Sequence, residues 1–352
     1  MFPPPHPVVA VDVMGSDRGP QETFEGILLA LRRCREANFS LILVGNRELM
    51  ANLLAGKRFR PFRDRIRLHH AAAVIAMDES PMRAMRQRES SMGQAIDLVR
   101  EGEAGGALTC GNTGALVAIG TIRLRPMPQL ERPALATVIP GIDRHFVLLD
   151  VGANPSPTPR QLVHNAILGA HYNRVALQNP SPRVGLLSIG TEEGKGNGLV
   201  QQTHEMLKKL GGIIRYEGLV EGFQLFQDPP DVVVCDGFVG NVLLKTMESL
   251  ARRLKGFIGK ELFRNPLRIF GCLFAAGALR TIRKKLSAEA YGGAPLLGLN
   301  GSLFKAHGSS DRDEICRAIL MAERFLRESC CDRLRDQILR SHTLLSETTE
   351  GN

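Results

Sequence analysis

The sequence predicts an α/β protein, built on a parallel or mixed sheet with helices on both faces. Two observations carry this expectation. Short apolar runs alternate with helix-length segments over residues 8–234, and repeated β-then-α units of that length build sheets covered on both sides. Four glycine-centred clusters, Cys110–Gly114, Ile189–Asn197, Asp236–Asn241 and His307–Asp311, also stand beside polar or charged groups. Three of them leave an apolar run that reads as a buried strand: Val184–Ile189 and Val232–Val234 strongly, Gly105–Thr109 less clearly. Such turns present backbone N–H groups that close around an anion, and strand ends are where open α/β sheets bind ligands.

The elements follow in order. Val8–Val13 reads as a buried strand ended by Met14-Gly15-Ser16-Asp17, then a helix from Pro20 to Arg35. Strands are expected at Ser40–Val44, Ile66–Leu68 and Ala107–Leu108, with helices at Ser91–Glu101 and Ala115–Arg123. Ala134–Ile139 and His145–Asp150 are β-like and joined by Pro140-Gly141, a hairpin candidate. A helix over Gln161–Leu177, a strand over Val184–Ile189, a helix over Gly198–Leu210 and a strand over Val232–Val234 continue the alternation. Val242–Leu262 then reads as a long helix, Asn265-Pro266 as a corner, and Leu267 to about Ala290 as a second helix. Asp311–Arg327 closes the pattern as a helix. Residues 1–7 and 343–352 are expected to be tails, and 8–342 one domain that includes the 245–290 hairpin.

At 352 residues and 43% hydrophobic, the chain has enough apolar content for a large core. Its longest apolar run, Ile269–Leu279, is far shorter than the ~20 residues of a membrane span, and a cytoplasmic location is expected. The seven cysteines form no C-x-x-C pair and are expected to be reduced and mostly buried. No spacing resembles a metal site, and no metal or cofactor is expected. The net charge is +9, of which a surplus of eight falls between Lys245 and Ala290, eleven basic residues against three acidic ones. The rest is close to neutral, which weakens a nucleic-acid-binding reading. The tip of this basic hairpin carries Leu262, Phe263, Leu267, Ile269, Phe270, Leu273 and Phe274, with Arg264 and Arg268 among them. Three readings are open: packing in a subunit interface, contact with a membrane surface, or an acidic protein partner.

Lys195 stands between Gly194 and Gly196, unobstructed by neighbouring side chains. A compact ammonium there suits phosphate or a developing oxyanion. Gly190, Thr191 and Asn197 share this loop, and Glu192 and Glu193 either orient Lys195 or cap the next helix. The order is not that of a nucleotide-binding Walker loop. Gly111, Asn112, Thr113 and Gly114 begin a helix, where anion binding and plain N-capping are both open. Asp236, Gly237, Gly240 and Asn241 look similar. His307, with Ser309 and Ser310, is a candidate to donate a proton, bind phosphate or cap the helix that follows. No G-x-S-x-G elbow occurs and no cysteine stands in an activating context, Cys110 included. Chemistry without a covalent enzyme intermediate fits better: phosphate attacks an activated acyl group, and the site holds the reactants in line and stabilises the oxyanion.

The stretches VDVMGSDRGP (11–20), ESPMRAMRQRESSM (79–92), CGNTGAL (110–116), RPALA (132–136), LDVGAN (149–154), VGLLSIGTEEGKGN (184–197), DVVVCDGFVGNVLLKTMES (231–249), YGGAPLLGLNG (291–301) and HGSSD (307–311) together resemble the bacterial PlsX family of phosphate acyltransferases. The resemblance implies an α/β/α, Rossmann-like fold of the isocitrate/isopropylmalate dehydrogenase type with a projecting helical hairpin. It implies transfer of a long-chain acyl group from acyl-carrier protein to inorganic phosphate, the product serving a downstream membrane glycerol-3-phosphate acyltransferase. A homodimer and peripheral membrane association are also implied. Lys195 is then the first choice for catalysis, with Asn241 and His307 beside it. Asn112, Thr113, Asp236, Asn241 and His307 fall on motif positions expected to line the cleft, with Gly15 as a further binding candidate; Asp12, Asp17, Asp150 and Asn154 are weaker candidates, because strand-end Asp and Asn also stabilise turns. Ser16, Cys110, Gly194, Gly198 and the run Pro155–Pro159 depart from the family pattern. The rival readings are a short-chain acyl-CoA phosphate acyltransferase and a non-catalytic membrane scaffold. A nicotinamide dehydrogenase is disfavoured because no G-x-G-x-x-G follows the first strand.

Overall fold

The computed structural model describes residues 6–34, 39–141, 144–285 and 293–350. Most of the expected N-terminal tail, the last stretch of the second hairpin helix (286–290) and the start of the YGGAPLLGLNG motif lie outside them. Alternate residues of one strand enter different cores. Val9 and Val11 join one apolar cluster, while Val8 and Ala10 join the other. The sheet is therefore the middle of three layers.

The first half of the sheet is built by β1 (Val8–Asp12), β2 (Ser40–Gly45), β3 (Ile66–His70) and β4 (Gly106–Thr109). Between and after these strands run α1 (Pro20–Arg33), α2 (Arg47–Leu54), α3 (Pro81–Ala84), α4 (Ser91–Arg100) and α5 (Thr113–Leu124). The second half has β5 (Ala134–Pro140), β6 (His145–Leu149), β7 (Arg183–Ser188), β8 (Arg215–Glu221) and β9 (Val232–Val234), with α6 (Pro159–Ala176) and α7 (Gly198–Lys208). Then come α8 (Gly237–Leu262), α9 (Pro266–Lys285), β10 (Ala294–Leu297), β11 (Ser302–Lys305), α10 (Arg312–Arg327) and α11 (Cys330–Glu350). The last helix runs across most of the segment read as a C-terminal tail.

The eleven strands of the described residues form one sheet in the order β3-β2-β1-β4-β11-β10-β5-β6-β9-β7-β8. The expected β5–β6 hairpin is antiparallel, pairing Val138 with Val147. Strand β10 opposes both of its neighbours, which leaves β5 parallel to β11, and the β5–β6 pair then turns β6, β9, β7 and β8 against β1, β2, β3, β4 and β11. The ends of β1, β4 and β11 consequently gather at one edge, and those of β6, β7 and β9 at the other. Helix α8 begins at the second edge, and its 26 residues extend about 39 Å at ~1.5 Å per residue.

From residue 249 onward, the described side chains of α8 and α9 are exposed or only partly buried. The two helices form a hairpin standing off the sheet, with Phe263, Leu267, Ile269, Phe270 and Phe274 exposed at its tip. The side chain of Leu273 lies outside the described ones. Arg268 and Arg264 both reach Glu261, at 2.5 and 3.6 Å. Among the described residues no helix is long and apolar enough to cross a membrane.

Between α6 and α11, His171 is buried with neither ring nitrogen hydrogen-bonded. Burial, then the charges of Arg174 and Arg333, depress its pKa to about 4. The unfolded chain, with an ordinary imidazole, binds the extra proton between pH 6.5 and 4, so stability falls as pH drops through that window. His171→Phe is therefore expected to remove about 3 kcal/mol of the stability lost between pH 7 and pH 4. Urea denaturation at the two pH values checks this, and equal losses in parent and variant would refute it.

Candidate active site

Three turns at the ends of β1, β4 and β11 are tied into one cradle. Asp12 ends β1 almost completely buried. Its carboxylate accepts the Thr109 hydroxyl at 2.6 Å and the Met14 N–H at 3.1 Å. Thr109 Oγ1 in turn accepts the N–H of Gly111 at 2.9 Å, so one carboxylate fixes the turns after β1 and β4. Burial raises the Asp12 pKa, and these hydrogen bonds pull it back. The Asp17 N–H and the Ser16 hydroxyl both donate to the Gly308 carbonyl, at 2.9 and 3.3 Å, joining the turn after β1 to the turn after β11.

Gly15 is there because nothing larger fits. A Cβ would lie 2.6 Å from Asp12 Oδ2 and 2.8 Å from the Gly111 nitrogen. At Gly308 it would lie 2.4 Å from Asp17 Oδ2.

Asn112 caps α5, its Oδ1 accepting the Ala115 N–H at 3.0 Å, while its Nδ2 donates to the carbonyls of Met77 and Glu79 at 2.9 and 2.8 Å. Its amide is thus committed to holding the 77–79 segment against the cradle. Thr113 and Gly114 form the first turn of α5, half-buried beside it. Cys110 is buried, and burial pushes its thiol up to about 12, so it stays protonated and serves as packing. His307 lies exposed on the rim, Nδ1 within 2.8 Å of the Ser309 hydroxyl and 3.2 Å of the Ser309 N–H. Ser310 is buried, its N–H on the His307 carbonyl at 3.0 Å. Asp311, not a site residue, caps α10.

A second cluster lies at the ends of β6 and β9. Asp150 is fully buried and accepts four backbone N–H groups, from Leu135, Gly152, Ala153 and Asn154, at 2.6–3.0 Å. Burial nonetheless raises its pKa, against the pull of those bonds. Asn154 is buried, with Nδ2 on Gln161 at 2.9 Å and its carbonyl taking the Gly237 N–H. Asp236 caps α8 through the Val239 N–H at 2.8 Å. The helix therefore starts at Gly237 rather than Val242, which puts Asn241 in its second turn, beside Gly152. Asp236 and Asn154 are occupied as structural partners; Asn241 is exposed.

The third cluster is the 189–197 loop after β7. Gly194 and Gly196 have φ of 87° and 91°, conformations open to glycine. The stem of Lys195 and the carboxylate of Glu192 fold across Gly190, where a Cβ would meet them at 2.7 and 2.8 Å. Lys195 and Thr191 are exposed. Asn197 caps α7 on the Val200 N–H, and Glu193 meets Lys208 at 3.5 Å. Helix capping thus falls to Asn197 instead of Glu192 or Glu193.

Helix α8 links the halves. It starts on the Asp150 cluster, and Lys245, Glu248 and Arg252 on its later turns act electrostatically on His307. Partial desolvation at the rim depresses the His307 pKa, Glu248 opposes this, and Lys245, Lys305 and Arg252 add to it. Asn112, Asp12, Gly15, Asp17 and His307 are brought together, whereas Lys195 lies on the separate loop after β7. Sequence reasoning missed Thr109 and Lys305. The latter is buried at the end of β11, Nζ donating to the Cys110 carbonyl at 3.2 Å and to that of Ala306. The signal was available: a lysine two residues before a His-Gly turn, ending an apolar strand.

A sequence profile of the fatty acid synthesis protein family matches residues 8–333. A phosphate acyltransferase of Thermobifida fusca is 40% identical over 344 residues, 97% of this chain and 93% of the relative. One of Nitratiruptor is 37% identical over 331 residues, 94% of this chain and 97% of the relative. In fold, the chain is similar to a phosphotransacetylase from Streptococcus pyogenes (TM-score 0.61, 15% identity, 92% of this chain and 94% of that one). It is also similar to the EutD phosphotransacetylase from Staphylococcus aureus (TM-score 0.58, 13% identity, 91% and 94%). Matched over nearly its whole length in profile and in relatives, the chain belongs to the PlsX family of phosphate acyltransferases.

Proposed function

We propose that the protein transfers a long-chain fatty acyl group from acyl-carrier protein to inorganic phosphate. Acyl transfer to phosphate follows from the family; the carrier-protein donor and the long chain are our reading. A phosphate oxygen attacks the thioester carbonyl carbon, a C–O bond forms, and the C–S bond breaks with the electron pair leaving on sulfur. A thiol pKa near ~8.5 lets that sulfur leave as thiolate without an obligatory acid. The observation that supports this best is the cradle of strand ends around Gly15, Gly111 and Gly308, whose cysteine is locked as a neutral thiol. A covalent acyl-cysteine route has no ionised sulfur there, whereas direct attack needs only positioning and oxyanion stabilisation. Lys195, Asn241 and His307 are the groups we assign to that stabilisation.

We further read the architecture as of the isocitrate/isopropylmalate dehydrogenase type, with residues 8–342 working as one catalytic unit in a homodimer. The acyl-phosphate would supply a membrane glycerol-3-phosphate acyltransferase. Residence in the cytoplasm at the inner face of the membrane suits the exposed apolar tip and its flanking arginines. The deciding assay is phosphate-dependent release of free carrier protein from its palmitoyl thioester, beside acetyl-CoA. Release from the long-chain substrate alone is expected; release from acetyl-CoA would make this a short-chain enzyme, and release from neither would favour a scaffold.

The hairpin carries its own prediction. Phe270→Ser with Phe274→Ser removes two exposed rings that stack edge to face at 5.4 Å, far from the cradle in sequence and facing solvent. The double variant is expected to lose at least about tenfold in affinity for anionic vesicles in a flotation assay, since two buried aromatic side chains contribute roughly 1.5–3 kcal/mol each. Turnover on soluble substrate should stay within about twofold. Unchanged flotation would rule out the tip as an anchor.

A further inference from the structure

We propose that Lys305 is the positioning cation of this site: its ammonium staples the carbonyl ends of β4 and β11 and lays a positive charge beneath the His307–Ser309 turn. The inference rests on the reading of the cradle as the phosphate site. Thr109 and Lys305 are register partners on parallel strands, so Cys110 and Ala306 are the first residues beyond each strand. Their carbonyl oxygens converge on one buried Nζ. Without a cation, two carbonyl dipoles would present negative ends to the ground beneath an anion cradle. An ammonium reverses that field and has three donors, of which two are used by these carbonyls.

The charges around it are balanced from several elements. Asp12 from β1 and Asp17 from the following turn favour the ammonium, the Cys110 side chain lies beside it on the β4 turn, and Lys245 of α8 opposes it. Burial dominates, and the Lys305 pKa falls to about 8. The same charge contributes to keeping the His307 imidazole neutral, together with Lys245 and Arg252 and against Glu248 of α8. A neutral imidazole on the rim accepts the Ser309 N–H at Nδ1 and leaves Nε2 to face a phosphate as donor. An imidazolium could not accept at Nδ1.

This assigns Lys305 effects that a mere packing residue lacks. Lys305→Met keeps the stem and removes the charge; it is expected to lower kcat/KM for phosphate by about 50-fold, below the ~10²–10³ of losing a donor aimed directly at the oxyanion because this charge acts through the turn above it. In the same variant the His307 pKa should move up, read directly by NMR titration of its imidazole, a measurement that requires no turnover. Lys305→Arg retains a cation that does not titrate in this range. Its remaining activity should persist above pH 9, where the parent enzyme declines with an apparent pKa near 8. If Lys305→Met does not fold, by circular dichroism, the parent and Lys305→Arg profiles decide. Turnover of Lys305→Met within threefold of parent, an unmoved His307 titration, or a basic limb that is the same in parent and Lys305→Arg would each overturn the proposal. Absence of phosphate-dependent turnover in the parent would instead overturn the phosphate-acyltransfer reading, and the His307 titration would then judge Lys305 alone.

Discussion

Lys195→Ala is expected to lower phosphate-dependent turnover by about 10²–10³-fold while leaving the fold intact. The magnitude is that of removing one group aimed at a developing oxyanion. Stability should barely change, because the loop is not held by this side chain. Its shape comes from the positive-φ glycines 194 and 196, from Gln201 Nε2 donating to the carbonyls of Gly194 and Gly196 at 2.7 and 3.2 Å, and from the Asn197 cap. The lysine lies exposed on top of that frame, so its loss exposes no core and strands no buried partner, and substitutions of that kind stay within about 0.5 kcal/mol. The measurement is kcat and KM for phosphate together with the thermal midpoint. A fall in kcat with KM nearly unchanged places the charge in the transition state; a rise in KM alone makes Lys195 a ground-state phosphate ligand. Turnover within threefold of parent would remove it from the machinery and leave the β1–β4–β11 cradle to act without it.

The parts legible in sequence were those where one physical signal dominates. Val8–Val11 and Val232–Val234 are short valine-rich apolar runs, and both lie in interior strands buried on two faces. The Pro140-Gly141 joint predicted the antiparallel β5–β6 pair, and Asn265-Pro266 the corner between α8 and α9. Strand β8 was missed because Arg-Tyr-Glu-Gly leads with charge and a glycine; it is an edge strand and half of it faces solvent. Strands β10 and β11 were missed because Gly-Gly-Ala-Pro reads as a turn, and only the sheet between β4 and β5 gives that short pair its place. The glycine clusters announced the strand ends, yet not which ends would meet. That depends on β11 and β10 being inserted between β4 and β5, and on the β5–β6 hairpin turning the strands beyond it, a tertiary arrangement. Lys305 was passed over because a lysine ordinarily marks solvent. For Asn112 and Asp236 the sequence left anion binding and N-capping open, and both side chains are engaged in helix caps.

Gly240→Ala is expected to destabilise the protein by at least about 3 kcal/mol, and Gly256→Ala, in the same helix, to stabilise it slightly. An added Cβ at Gly240 would sit 1.9 Å from the Asp150 carbonyl oxygen and 2.9 Å from Cys235 Sγ. Neither can step aside. Asp150 is held by four backbone N–H groups on its carboxylate, and its carbonyl lies against the buried Cys235 thiol at 3.6 Å. Relief therefore requires the first turns of α8 to lift off the sheet, which also carries Asn241 away from Gly152 and moves the helix that faces His307. Alanine's helix-propensity advantage, up to ~1 kcal/mol, is small beside a backbone overlap of more than 1 Å, and overpacking of this sort costs 1–3 kcal/mol or more. At Gly256 a Cβ meets nothing within 4 Å, so the propensity term acts alone and should add about 0.5–1 kcal/mol. Urea denaturation of the two single variants gives both signs, and the pair shares one helix and one substitution. If Gly240→Ala is as stable as the parent or more so, the close seat of α8 on Asp150 is wrong, and with it the path by which the two halves of the site are held in register.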